Sequence, residues 1–190
     1  LPRFRLQAEA GRNNILNNFL RTKGASFRGL HVAGANDGAE PLSLRMRVDG
    51  LDAGGVVLDT VALGIAREER RLAYRLGVSN APGHLDHVAQ AALYGHVVRN
   101  TGQVNFRQRD RAGREGFRFG FDVEWTDSLV RAGMTPLRPL FGSEPWEVNA
   151  GNYVEYGWYD RRIAADLDMR CGEGRFALRS VPADDGEAES

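Results

Sequence analysis

Apolar and polar side chains alternate along most of this chain. In FRFGFDVEW (117–125), Phe117, Phe119, Phe121, Val123 and Trp125 share one parity, and Arg118, Gly120, Asp122 and Glu124 share the other. Successive side chains of an extended chain point to opposite faces, so the segment predicts a strand with one apolar and one polar face. The same rhythm groups Leu42, Leu44, Met46 and Val48 in LSLRMRVDG, Leu72, Tyr74, Leu76 and Val78 in RLAYRLGVS, and Val104 with Phe106 in GQVNFRQRD. It returns in RRIAADLDMRC, through Ile163, Ala165, Leu167, Met169 and Cys171, and in RFALRSV, through Phe176 and Leu178. GGVVLDTVALGIA is apolar on both faces and predicts a deeper strand. The runs are separated by the turn signals EERR (68–71), DRAGRE (110–115) and CGEGR (171–175). Connections this short force antiparallel neighbours. The pattern therefore predicts an all-β meander of about 8–11 strands, solvated on one side.

Two stretches depart from that rhythm. RNNILNNFLR (12–21) carries Ile15, Leu16, Phe19 and Leu20 at helical spacing between asparagines, which predicts one short amphipathic helix across an open end of the sheet. HLDHVAQAALYGHVVRN (84–100) mixes helix-favouring alanines with Val88, Val97 and Val98; after the turn NAPG (80–83) it is read as a strand.

Burying one large apolar side chain is worth roughly 1.5–3 kcal/mol, so the five of 117–125 represent roughly 10 kcal/mol gross and call for a cover. By pattern alone that cover is either a second layer of protein or something that is not protein. Composition narrows the choice little. Lys plus Arg and Asp plus Glu number 25 each, so net charge gives no reason to expect nucleic acid or an anionic membrane. The single Cys171 excludes an internal disulfide and a cysteine-built zinc site. LPRFRLQAE opens in strand-like alternation without Met, which predicts a segment of a larger protein; no signal peptide or bilayer-length apolar run is present. Residues 1–182 are expected to form one unit and 183–190, acidic and small, a disordered tail.

The segments AEAGRNNILNNFLRTKG, NAPGHLDHVAQAALYGHVVRNTGQVNF, GFRFGFDVEWTDSLVRAGM and EPWEVNAGNYVEYG, followed by DLDMRCGEGRFALRSV, resemble the TamB family of translocation and assembly module proteins, relatives of the AsmA-like proteins of Gram-negative envelopes. The resemblance implies a sheet curled like a taco shell around an apolar groove, part of a long protein tethered to the inner membrane and crossing the periplasm. The implied role is non-enzymatic: conducting or holding phospholipid between inner and outer membrane in outer-membrane biogenesis, with acyl chains as partners, an outer-membrane barrel protein possible in the intact protein, and no cofactor. On this resemblance the groove lining comprises Leu44, Met46, Val48, Leu72, Tyr74, Leu76, Phe106, Phe117, Phe119, Phe121, Trp125, Ile163, Leu167 and Met169. The inner-membrane anchor and the carboxy-terminal domain of the family are not in this sequence. The energetics suit a conduit: at about 0.8 kcal/mol per buried CH₂, a tail of about 16 carbons gains roughly 12 kcal/mol gross, close to its gain inside a bilayer.

Other chemistries have weaker signals. The aromatics Trp146, Tyr153, Tyr156, Trp158 and Tyr159 could form a sugar-stacking platform on a carbohydrate-binding β-sandwich, though Trp146 and Val148 also suit the end of a sheet, with Asn149 and Asn152 holding a turn. Asp122 with Glu124, and Asp166 with Asp168, could act as paired carboxylates of a glycoside hydrolase; alternation with apolar residues and nearby Arg118, Arg162 and Arg170 favours cross-strand ion pairs. HLDH places His84, Asp86 and His87 near one another without a further ligand in view, so no metal site is assigned. RQRDRAGR carries four arginines and could suggest phosphate binding, but Asp110 interrupts it and Glu115 follows it at a hairpin tip, so it reads as a solvated turn. No phosphate-cradling glycine loop or nucleophile elbow is present, which argues against an enzyme.

Overall fold

The computed structural model describes residues 3–38, 41–83 and 87–180, with Leu137 described by its backbone alone. The strands are β1 (Phe4–Gly11), β2 (Ala25–Ser26), β3 (Gly29–Asn36), β4 (Ser43–Ala53), β5 (Val56–Glu68), β6 (Arg71–Ser79), β7 (Gln90–Val98), β8 (Thr101–Arg109), β9 (Glu115–Trp125), β10 (Leu129–Phe141), β11 (Glu144–Pro145), β12 (Glu147–Val148), β13 (Tyr153–Gly157), β14 (Ile163–Cys171) and β15 (Gly174–Arg179). One helix, α1 (Ile15–Arg21), joins β1 to β2. All fifteen strands belong to one antiparallel sheet, ordered β1-β3-β4-β5-β6-β7-β8-β9-β10-β13-β14-β12, with β2 on β4, β11 on β10 and β15 on β14. The meander is the one the alternation predicts. The strand number exceeds the expected 8–11 because short pairings such as β2, β11 and β12 have too few residues to show a rhythm.

Turn chemistry fixes the register. Between β4 and β5 the two-residue link Gly54–Gly55 has φ of 61° and 88°. Positive φ at both central positions matches the right-handed twist of the flanking strands, and glycine adopts it without steric cost. The β4–β5 pairing that results runs from Ser43↔Ala66 to Ala53↔Val56.

The taco-shell curl implied by the family resemblance is not found: the sheet is not strongly curled. It is a single layer, and its surface reflects that: 13166 Å² is accessible to solvent, against about 9000 Å² for a compact monomer of this mass. The buried core is local. Met134, Val148, Leu167 and Met169 pack together near the carboxy-terminal end, with Phe121, Phe141 and Trp146 against them.

Between β10 and β14 the neighbouring strand is interrupted: β12 and β13 run in line, separated by residues 149–152. Two asparagine side chains bridge the gap. Asn149 donates to the Asp166 carbonyl and accepts from the Asp168 N–H, so it serves the β14 side. Asn152 serves the β10 side, accepting from the Met134 N–H and donating to the Met134 carbonyl.

The short helix forms within the expected residues, but its apolar side chains do not face inward. Asn14 caps it by accepting from the Asn17 N–H at 2.9 Å. Asn17 is fully buried; it donates to the carbonyls of Arg12 and Phe27 and accepts from the Phe27 N–H. Ile15, Leu16 and Phe19 stay exposed. A polar clamp takes the place of the apolar stripe, because one amide aimed inward closes otherwise orphaned backbone groups.

Candidate functional site: the apolar face

Antiparallel register places directly opposed residues on the same face. One row of such pairs runs Ala8, Val32, Met46, Leu63, Leu76, Leu93, Phe106, Phe119, from β1 to β9. A parallel row runs Leu6, Gly34, Leu44, Ile65, Tyr74, Gly95, Val104, Phe121, Met134. The fourteen residues assigned to a groove lining therefore share one face. Leu44, Met46 and Val48 come from β4, and Leu72, Tyr74 and Leu76 from β6. Phe106 comes from β8, and Phe117, Phe119, Phe121 and Trp125 from β9. Ile163, Leu167 and Met169 come from β14.

They differ in environment. Leu72, Leu76, Phe117 and Ile163 are exposed, and so are Leu6 and Leu93, which belong to the same face. Leu167 and Met169 are buried in the local core, so they support the face rather than form its surface. Val32, Leu63 and Leu93 complete the rows although the sequence did not single them out. Leu63 sits in a segment apolar on both faces, and Leu93 in the segment of mixed helix and strand character. Only register assigns their side.

The aromatic part is continuous. Phe119 packs on Phe106 at 5.3 Å between ring centroids, on Phe141 at 5.1 Å nearly parallel, and edge-on to Phe121 at 6.3 Å. Phe141 in turn meets Trp146 edge-on at 6.3 Å. Beside these rings lies a depression of about 650 Å³ floored by Ala91, Phe106, Phe117 and Phe119. Its rim is polar: His87, Gln108, Asp110, Arg114 and Ser143. Gln108 is buried and donates to the His87 carbonyl. Arg114 is paired with Asp110 at 2.7 Å. A floor of rings with a polar margin suits a molecule with an apolar body and a polar end.

Tyr74 brings a hydroxyl to this face. It donates to the Gln103 carbonyl at 3.0 Å, and burial raises its ionisation above the ordinary tyrosine value.

The other candidate chemistries fare differently. Trp158 and Tyr159 are exposed, but Tyr156 and Trp158 meet at 88°, so they present an edge and a face rather than a plane for stacking. Tyr153 lies beneath the Arg131 guanidinium, 4.1 Å from its ring centroid. Asp168 is almost fully buried and accepts from Arg170, Arg175 and Arg179. Hydrogen bonds from Arg175 and then Arg170 hold its carboxyl well below the usual carboxylate range. A carboxylate held ionised in this way is a poor general acid. Asp122 accepts from Gln103 at 2.9 Å. His84 and Asp86 lie outside the described residues. Among the described residues no group of three or more His, Cys, Asp and Glu side chains is placed to hold a metal ion, and no helix is long and apolar enough to cross a membrane.

The arginines of RQRDRAGR separate. Arg111 donates to the carbonyls of Asn80 and Ala81 and so ties the β6–β7 connection to the β8–β9 turn. Arg114 stays with Asp110, while Arg107 and Arg109 project from the polar face toward Glu115. A solvated turn accounts for Arg114 alone.

Comparison of the chain with protein-family models, with curated proteins and with solved structures yields no match.

Proposed function

We propose that this chain is a segment of a TamB-type envelope protein whose apolar face holds phospholipid acyl chains in passage between inner and outer membrane. The observation that carries the reading is the uncovered state of that face: one sheet, no second layer among the described residues, and apolar rows crossing it from β1 to β10. Contiguous exposed apolar surface marks an interaction site. An acyl chain fits it because the rows are long, narrow and without charge. The weak curl suits transfer: an open trough leaves part of each chain in contact with water or a second occupant, so binding stays below full burial. Location in the periplasm, a tether at the inner membrane and an outer-membrane barrel partner follow from the same family reading and belong to the proposal.

Crosslinking tests it. A photoreactive residue in place of Phe119 or Phe121 in the full-length protein should capture phospholipid, whereas one in place of Asp122 or Glu124, exposed on the opposite face, should not. Equal capture from both faces would refute an acyl-chain trough.

A further inference from the structure

On the polar face, three arginines converge on one carboxylate. Arg107 Nε lies 3.0 Å from Glu115 Oε1, Arg109 Nη2 3.1 Å from the same oxygen, and Arg118 Nε 3.7 Å from Oε2. Three positive charges face one negative charge. Arg107 and Arg118 are also direct cross-strand partners, a placement that is destabilising for like charges unless something neutralises them. The register positions beside the cluster on the flanking strands belong to Ala92, Gln90 and Leu140, none of them charged.

The hydrogen bonding is incomplete as well. Only Arg109, through Nη2, donates an aligned bond to Glu115. The Nε–H groups of Arg107, Arg109 and Arg118 are shielded from water and have no acceptor; Arg107 Nε is close to Oε1 but not aligned with it. The cluster at Asp168 provides a comparison within the same molecule. There too three arginines surround one carboxylate, yet Asp168 receives bonds from Arg170, Arg175 and Arg179 on both of its oxygens and is itself almost fully buried. That cluster is saturated. The one at Glu115 has donors to spare, and its arginine side chains are about 40% exposed, so their guanidinium ends can be reached from solvent.

We propose that Arg107, Arg109 and Arg118 form a binding site for a phosphate-type anion, with Glu115 occupying part of it when no ligand is bound. Guanidinium groups pair with phosphate oxygens through parallel charge-assisted bonds, and an anion with three free oxygens can serve several forks at once. The bound anion would remove the like-charge conflict between Arg107 and Arg118 and give acceptors to the stranded Nε–H groups. The site stands on the face opposite the aromatic rows and does not depend on the lipid reading. The phosphate could be free or the headgroup of a lipid.

The test titrates the folded chain with inorganic phosphate and, separately, with a short-chain phosphatidic acid below its micelle concentration, following binding by calorimetry with sodium chloride of equal ionic strength as control. Saturable binding of phosphate is expected, weakened about tenfold or more in Arg107→Gln and in Arg118→Gln. Glu115→Gln should strengthen it, because the competing carboxylate is gone; a purely structural ion pair gives no such gain. Phosphatidic acid binding more tightly than phosphate, with the same dependence on Arg107 and Arg118, assigns the site to a lipid headgroup, and equal affinity assigns it to a free anion. Heat indistinguishable from the chloride control, or binding indifferent to all three substitutions, overturns the proposal. If either arginine variant fails to fold by circular dichroism, the Glu115→Gln comparison decides alone.

Discussion

The side chain of Asn152 pairs with the backbone of Met134 as a neighbouring strand would: its Oδ1 accepts from the Met134 N–H at 2.6 Å and its Nδ2 donates to the Met134 carbonyl at 3.2 Å. The same amide nitrogen donates to the Asn149 carbonyl at 3.1 Å. An amide presents a donor and an acceptor side by side, as a peptide group does, so it can replace one rung of a ladder where the strand itself bends away. Asn17 and Asn149 work in the same way on other backbone segments. Asn152→Ala should destabilise the chain by about 3 kcal/mol, since it strands two buried backbone groups of β10. Asn152→Asp, which sets a buried carboxylate oxygen against the carbonyls of Met134 and Asn149, should destabilise at least as much. Urea unfolding followed by tryptophan fluorescence measures both.

Gly95 lies where the sheet has no room. A Cβ there would sit 1.7 Å from the Gln103 carbonyl oxygen and 2.8 Å from the Tyr74 hydroxyl. Gly95→Ala must therefore push β7 from β8 and displace the tyrosine, at a cost of about 1–3 kcal/mol. Tyr74→Phe, which removes only the bond to Gln103, should cost about 1 kcal/mol. It should also remove a delayed component from a near-ultraviolet tyrosine titration, because burial raises the ionisation of this phenol above the ordinary tyrosine value.

Asp168 makes stability depend on acid. Its folded-state carboxyl is held below the ordinary value by Arg175 and Arg170, whereas in the unfolded chain it returns to about 3.9. A depressed carboxylate contributes stability that is complete above the unfolded value and is lost as pH falls below it toward the folded value. The melting temperature of the wild-type chain should therefore drop as pH is lowered from about 4. Asp168→Asn should melt lower at neutral pH and lose less on acidification. Parallel acid slopes in the two proteins would show that Asp168 contributes nothing to this limb.

Period-two alternation was enough to read the antiparallel meander and the apolar side of most strands, because each strand side is written into residue parity; it did not assign a side to β5, apolar on both faces, or to β7, of mixed character. Three further features were not legible. The burial of Asn17 and the exposure of Ile15 and Phe19 invert the amphipathic reading of the helix, since backbone hydrogen-bond demand outweighed the apolar stripe. The convergence on Glu115 joins Arg107 and Arg109 of one strand to Arg118 of the next, and only cross-strand register brings them together. The different standing of Phe117, exposed, and Leu167, buried, depends on the local packing of Trp146 and Phe141, which parity does not encode.

The most direct test of the acyl-chain trough is mass spectrometry of lipid that co-purifies with the chain from a Gram-negative host, for the wild type and for the double substitution Phe119→Asp with Phe121→Arg. A charge placed in an apolar trough must be desolvated by any chain that lies there, so it should expel the lipid. The account predicts phospholipid bound to the wild type and depleted several-fold in a double variant that remains folded by circular dichroism. Phospholipid retained undiminished by that variant, or none on the wild type, would contradict it.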